Sequence, residues 1–271
     1  LKDVGTTNKT KLSDYEKAYD PELTGAFMKV HTSNYRIIGF TEDVALPDMV
    51  ALGHEKGIPV IYDMGNGLMA DLHKYGVNEP TVLDAMKAEP DVILFSGDKL
   101  LGGPQGGIII GKKKYIDLMK KHPLARAFRV DKMTLAALEA TFYQYLDMDK
   151  AMKEIPTLAM ISASREELQD KAADLIRALQ EKAPEYEYDT EAVTDQVGGG
   201  SAPANYLEGI AVSIRNPGLT AEQMERRLRK AEVPVIARIS HEHILLDVRC
   251  IKEEEYALVA EAVAQTKGGE Q

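Results

Sequence analysis

Between positions 95 and 107 the chain reads Phe-Ser-Gly-Asp-Lys-Leu-Leu-Gly-Gly-Pro-Gln-Gly-Gly. The apolar run at 91–95 leads into it, so Lys99 stands at the end of a buried strand with a glycine-rich loop behind it. Two readings fit such a lysine. Its ammonium can simply leave the sheet edge for solvent, as most lysines do, or its amine can serve as a Schiff-base nucleophile activated by desolvation. Asp63 closes another apolar run, 58–62, earlier in the chain. A lysine and a carboxylate on one sheet edge are the pair that pyridoxal 5'-phosphate requires. The amine meets the aldehyde, and the carboxylate keeps the ring nitrogen protonated so that the ring accepts electrons from a Cα carbanion. Ser96, three residues before the lysine, is a candidate donor for the phosphate group.

The elements that must position these groups alternate. Strand patterns at 26–30, 58–62 and 91–95 are interleaved with helical patterns at 46–56, closed by Gly57, and at 81–87 after Pro80. A further apolar run follows at 108–110. This spacing predicts βαβ units and a mostly parallel sheet, with functional groups gathered at the strand C-termini. Three stretches occupy that edge: His31 to Asn34, Asp63, and Ser96 to Lys99. A helical pattern over 131–150 reads as a connecting helix. Beyond it the pattern changes to a long helix at 162–179, a strand near 186–188, a glycine-rich turn at 197–201 and a strand at 209–214. Thr220 and Gln223 form a capping box for a helix ending near 231. A hairpin of 235–239 with 244–248 and a helix at 253–266 complete the chain. The expected organisation is an α/β large domain over 1–150 and a small α+β domain over 151–271.

Composition bounds the function. The chain has 271 residues, and at about 150 residues per domain it holds one large domain or two modest ones. No apolar run approaches the roughly 20 residues of a membrane span. The opening Leu1-Lys2-Asp3-Val4-Gly5 is no secretory signal, so a cytoplasmic location is expected. The lone Cys250 excludes an internal disulfide framework and a Cys-rich zinc site. A net charge of -10 argues against a surface that coats nucleic acid. Locally, eight Lys/Arg against two Asp between Lys112 and Lys132 could draw an anion, or could be a solvated helix surface. Three further motifs are decoys. Gly106 to Lys112 spells the start of a P-loop, but Lys113 stands where Ser or Thr must hold magnesium, and its middle is Ile-Ile-Ile. Gly65-Asn66-Gly67 opens a dinucleotide-like fingerprint, with Asp63 badly placed for a pyrophosphate. His241-Glu242-His243 lacks further ligands, and no metal site is expected.

Several stretches closely resemble the bacterial selenocysteine synthases, the L-seryl-tRNA(Sec) selenium transferases. They are Val4-Gly5-Thr6-Thr7-Asn8-Lys9-Thr10, Lys29-Val30-His31-Thr32-Ser33-Asn34-Tyr35-Arg36, the 95–107 stretch, and His122-Pro123-Leu124-Ala125-Arg126-Ala127-Phe128-Arg129-Val130-Asp131-Lys132. The likeness continues through Val197 to Gly200, Pro234 to Ile239 and Leu245-Leu246-Asp247-Val248-Arg249. It implies the fold type I, aspartate-aminotransferase-like architecture of pyridoxal-phosphate-dependent transferases, a cytoplasmic location and a homo-oligomer built from dimers. Lys99 then matches the family's cofactor-binding lysine and Asp98 a residue implicated in catalysis. Arg126 and Arg129 match its anion-binding arginines, in accord with the forked donors that suit oxyanions. Asp63 takes the pyridinium role, and His31 and Asn34 face the cofactor with Ser96. The implied reaction converts seryl-tRNA(Sec) to selenocysteinyl-tRNA(Sec) through an aminoacrylate, with selenophosphate as donor.

Two departures accompany the likeness. Family members carry a further N-terminal portion, with a small tRNA-contacting domain and the first strands of the cofactor domain, so an N-terminally incomplete chain is expected. Asn66 also stands where Ser is more usual. Three other readings make different predictions. A related lyase acting on a small phosphorylated amino acid would use the same Lys99 and Asp63 and would differ only in substrate. A non-catalytic scaffold would assemble without cofactor. A dinucleotide oxidoreductase would bind at Gly65 to Gly67 and be indifferent to Lys99.

Overall fold

Short runs rich in β-branched and aromatic residues build the first sheet of the computed structural model, which describes residues 1–198 and 200–267. Strands β1 (Phe27–Val30), β2 (Val60–Gly65) and β3 (Val92–Ser96) run parallel, and β4 (Gly107–Gly111) returns antiparallel beside β3, in the order β1-β2-β3-β4. The antiparallel return follows from chain length: a parallel neighbour needs a crossover of about a dozen residues or more, and the glycine-rich loop after β3 is shorter. The Ile-Ile-Ile of the P-loop decoy is therefore the ladder of β4.

Helices fill the crossovers. Following α1 (Leu12–Ala18), α2 (Leu46–Glu55) has Pro47 and Asp48 in its first turn and buries Met49, Val50, Leu52 and Gly53. A Cβ at Gly53 would come within 2.4 Å of the Val60 side chain, so the absent side chain lets the helix lie close on β2. The hydroxyl of Thr81 accepts the Asp84 N–H and caps α3 (Val82–Lys87). The basic stretch forms α4 (Lys113–Lys121) and α5 (Pro123–Ala127). The single connecting helix expected over 131–150 is instead α6 (Lys132–Gln144), α7 (Met148–Glu154) and α8 (Pro156–Ser162). Asp147 caps α7 through the Lys150 N–H and Pro156 opens α8, so each break has its own start signal.

Chain contacts divide the protein into two units, Leu1–Ala159 with Gln196–Asn205, and Met160–Asp195 with the described residues from Tyr206 onward. In the second, Ser164 and Glu167 form a capping box for α9 (Arg165–Lys182), which buries Leu168, Ala172, Leu175 and Leu179 along one stripe. That stripe shares a core with β6 (below) and with the last helix. Strands β5 (Glu187–Gln196), β6 (Tyr206–Arg215), β7 (Arg238–Ser240) and β8 (His243–Asp247) form a sheet in the order β5-β6-β8-β7. The turn at 197–201 joins β5 to β6, and its Gly199 lies outside the described residues. Between β6 and β7 runs α10 (Ala221–Leu228), capped by Thr220 with Gln223 as expected. The hairpin's first strand is shorter than 235–239 because the Val235 N–H is already bonded to the Leu228 carbonyl at the end of α10. His241 and Glu242 both have positive φ, 46° and 66°, as a two-residue hairpin turn demands. Two 3-10 turns, Val248–Cys250 and Glu253–Glu255, lead from β8 to α11 (Tyr256–Gln265).

Candidate active site at the C-terminal edge of the first sheet

The three parallel strands end at His31, at Asp63 to Gly65 and at Ser96 to Lys99, so the three stretches singled out in the sequence share one edge. The His31 N–H donates to the Asp63 carbonyl at 2.7 Å and holds the end of β1 on β2. Pairing of β2 with β3 then slips: Asp63 lies opposite Leu94 but Gly65 opposite Phe95, leaving Met64 as an extra residue. Such a bulge re-aims the strand end. Gly65 has φ +72°, the left-handed region that glycine occupies without penalty, and its N–H donates to Asp63 Oδ1 at 3.1 Å. A Cβ on Gly65 would lie 2.4 Å from Ser33 Oγ and 3.9 Å from Lys99 Nζ.

That gap is where the amine sits. Lys99 Nζ donates to Ser33 Oγ at 3.4 Å, and Lys99 makes no ion pair among the described residues. Ser33 is buried, at 5% exposure, so the half-buried amine meets a neutral hydroxyl and no carboxylate. Asp63 uses Oδ1 for the Gly65 N–H and leaves Oδ2 without a hydrogen bond among the described residues. That oxygen is available to a protonated ring nitrogen.

Asp63, Leu94 and Ile109 lie side by side across β2, β3 and β4. With Ser96 they floor a cavity of about 1100 Å3 whose wall is the segment from Ala125 through Arg129 to Leu135. Arg129 lines this cavity and Arg126 does not. Both arginines are exposed and without an ion pair among the described residues. Asp131, in the same wall, accepts the Met133 and Thr134 N–H groups and the Thr134 hydroxyl as the cap of α6. These bonds hold its carboxyl below the ordinary value, and they commit it to the helix. The exposed Asp98 and Asn34 make no side-chain hydrogen bond among the described residues.

A second group centres on Glu79, a residue not singled out in the sequence. Glu79, 4% exposed, accepts at Oε2 from His31 Nε2 at 2.7 Å and from the amide of the fully buried Asn66 at 2.8 Å. The Asn66 carbonyl in turn accepts the Leu68 N–H. On the opposite face of β2, burial pushes the Tyr62 phenol up to about 12, with the carboxylates of Asp43, Glu79 and Asp63 acting in the same direction. Ser33 lies inside a motif that the sequence already offered. Glu79, in an Asn-Glu-Pro loop, carries no local signal at all.

The fold is the α/β fold type I architecture of pyridoxal-phosphate-dependent enzymes. D-glucosaminate-6-phosphate ammonia-lyase superposes with a TM-score of 0.58 at 22% identity, over 97% of this chain and 62% of that one. A family model for L-seryl-tRNA selenium transferase matches residues 1–252, and the chain belongs to that family. The L-seryl-tRNA(Sec) selenium transferase of Alkaliphilus metalliredigens (strain QYMF) is 50% identical over 264 residues, 97% of this chain and 56% of the relative. That of Alkaliphilus oremlandii (strain OhILAs) is 46% identical over 263 residues, with the same coverage. The chain thus spans about half the length of the curated relatives it matches. No helix among the described residues is long and apolar enough to cross a membrane.

Proposed function

We propose that this chain carries the lysine half of a pyridoxal-5'-phosphate-dependent selenium transferase that converts seryl-tRNA(Sec) to selenocysteinyl-tRNA(Sec). The observation that carries the reading is Lys99: an amine at a strand end, facing a neutral hydroxyl beside Asp63, in a member of this family. The residues present suit the cofactor. Among the described residues Lys99 has no competing counter-charge and Asp63 Oδ2 no hydrogen bond, and the bulge at Gly65 leaves room that a Cβ would fill. Once bound, the cofactor supplies an electron sink for the Cα carbon of the seryl group.

The chain's own residues divide the remaining work. Lys99 takes the Cα proton and gives it back to Cα once selenium has been added. Asp63 holds a proton on the ring nitrogen, and Ser96, His31 and Asn34 orient the cofactor. Asp98 gives a proton to the β-hydroxyl, which departs as water. Arg126 and Arg129 hold selenophosphate through their forked donors; its selenium bonds the β-carbon, and its phosphoryl group passes to water. On this reading 1–150 is the cofactor-binding part and 151–271 the small C-terminal part, in a cytoplasmic homo-oligomer built from dimers.

Absorbance of the protein with added pyridoxal 5'-phosphate, followed by borohydride reduction and peptide mapping, tests the reading. A visible band lost on reduction, with the pyridoxyl label on Lys99, is expected, and Lys99→Ala should show neither. A label on another residue, or no label even in a chain extended to the relatives' full length, would overturn it.

A further inference from the structure

We infer that Glu79 is a positioning residue for the Lys99 site and acts through His31; the inference rests on the cofactor reading above. Burying a carboxylate is costly unless its charge is met by donors, and Glu79 is buried in a loop, outside any helix or strand. Its two donors are both taken from the site. His31 directly follows β1, two residues before the Ser33 that meets Lys99, and Asn66 follows the bulge that presents Asp63. One oxygen therefore ties together the two loops that carry the amine's partner and the ring-nitrogen acid.

The consequence for His31 is chemical as well as steric. An imidazole has two nitrogens. Glu79 is an acceptor for Nε2–H, so Nδ1 is left as the ring's contact for whatever occupies the strand edge. The His31 side chain is one-quarter exposed, at 25%, so that contact is reachable. Because the His31 backbone N–H is also bonded to the Asp63 carbonyl, the ring is fixed at both ends of the residue. Such carboxylate-backed histidines are held in one orientation by the second bond. A carboxylate serving only to staple the loops would act equally whether or not His31 were an imidazole, and that difference is measurable.

The test is a double-mutant cycle read by the rate at which borohydride fixes pyridoxal 5'-phosphate on Lys99 in the intact protein. Glu79→Gln and His31→Gln should each slow labelling about tenfold, the size of effect typical when the carboxylate behind a functional histidine is lost. The double variant should be no slower than His31→Gln alone. Multiplying effects, or full-speed labelling in Glu79→Gln, would overturn the inference, since independent roles add in free energy. Should Glu79→Gln not fold, Glu79→Asp, which keeps the charge but draws it back by one methylene, takes its place in the cycle. Proton NMR gives a readout independent of the cofactor. The parent should show a far-downfield, exchange-protected His31 Nε2 proton, lost in the Glu79 variant, and its absence from the parent would refute the clamp. Absence of any label on Lys99, even in the parent extended to the relatives' full length, would instead sink the cofactor reading, leaving the NMR signal to decide the clamp by itself.

Discussion

The two units hold charged clusters of opposite character. At the edge of the first sheet Lys99, Asp98, Arg126 and Arg129 have no ion-pair partner among the described residues. In the second unit Arg249 is 8% exposed and fully engaged. Its Nε donates to Asp195 Oδ2 at 2.8 Å, and its two terminal nitrogens donate to the Met160 and Glu208 carbonyls, each at 2.5 Å. Arg238 spans Asp195 at 3.5 Å and Asp247 at 3.4 Å beside it. Both clusters fall in motifs that resemble the same family, so the likeness alone does not separate them. Pairing does. A charge that has spent its donors on the protein holds the fold together, whereas one left unpaired at a strand edge is free to meet a ligand.

Three variants put that contrast at risk. The largest effect is expected from Arg249→Ala, which leaves Asp195 with only the longer Arg238 contact among the described residues and strips the donors from two carbonyls. Breaking a buried pair by removing one partner costs about 3–5 kcal/mol, and denaturant unfolding should show that loss. A loss below about 1 kcal/mol, the size typical of a surface pair, would make the second cluster no more structural than the first.

An intermediate effect concerns pH. Burial, and then the neighbouring Asp195 carboxyl, push the Asp247 carboxyl up to about 6. The folded state therefore takes up more protons than the unfolded chain between the ordinary 3.8 and about 6. By linkage this contribution lowers stability as pH rises through that window. Asp247→Asn should flatten the slope and leave the protein more stable near neutrality than the parent. Unfolding midpoints compared at either end of the window will show it, and an unchanged slope would refute it.

The smallest stability effect belongs to the first unit. Arg126→Ala with Arg129→Ala should change stability by no more than about 0.5 kcal/mol, as for surface side chains without partners. The same variant should bind selenophosphate more weakly in direct titration. If it instead unfolds the protein, the arginines are structural and the contrast fails.

Much of this was legible in the chain. Alternating apolar runs and helical patterns gave the strand order's raw material, and Lys99 and Asp63 were marked by their places after two such runs. What local pattern could not supply was the far end of each contact. Ser33 sat within a motif already noticed, yet its role depends on Lys99 arriving across the sheet edge. Glu79 had no periodicity, cap or spacing to mark it, because its partners His31 and Asn66 come from other loops. The connecting helix at 131–150 was misjudged for a more local reason: Asp147 and Pro156 restart the helix, and an apolar pattern alone runs straight through such signals.

The sequence by itself determined the alternation of elements, the family and the residue types able to do amine and oxyanion chemistry. Those depend on neighbours a few positions apart, where propensity and hydrophobic period act. Only the tertiary structure decided which charges are spent and which are free. That is a property of distances between residues far apart in the chain: Arg249 finds Asp195 across the second sheet, while Lys99 meets the Ser33 hydroxyl and no carboxylate among the described residues.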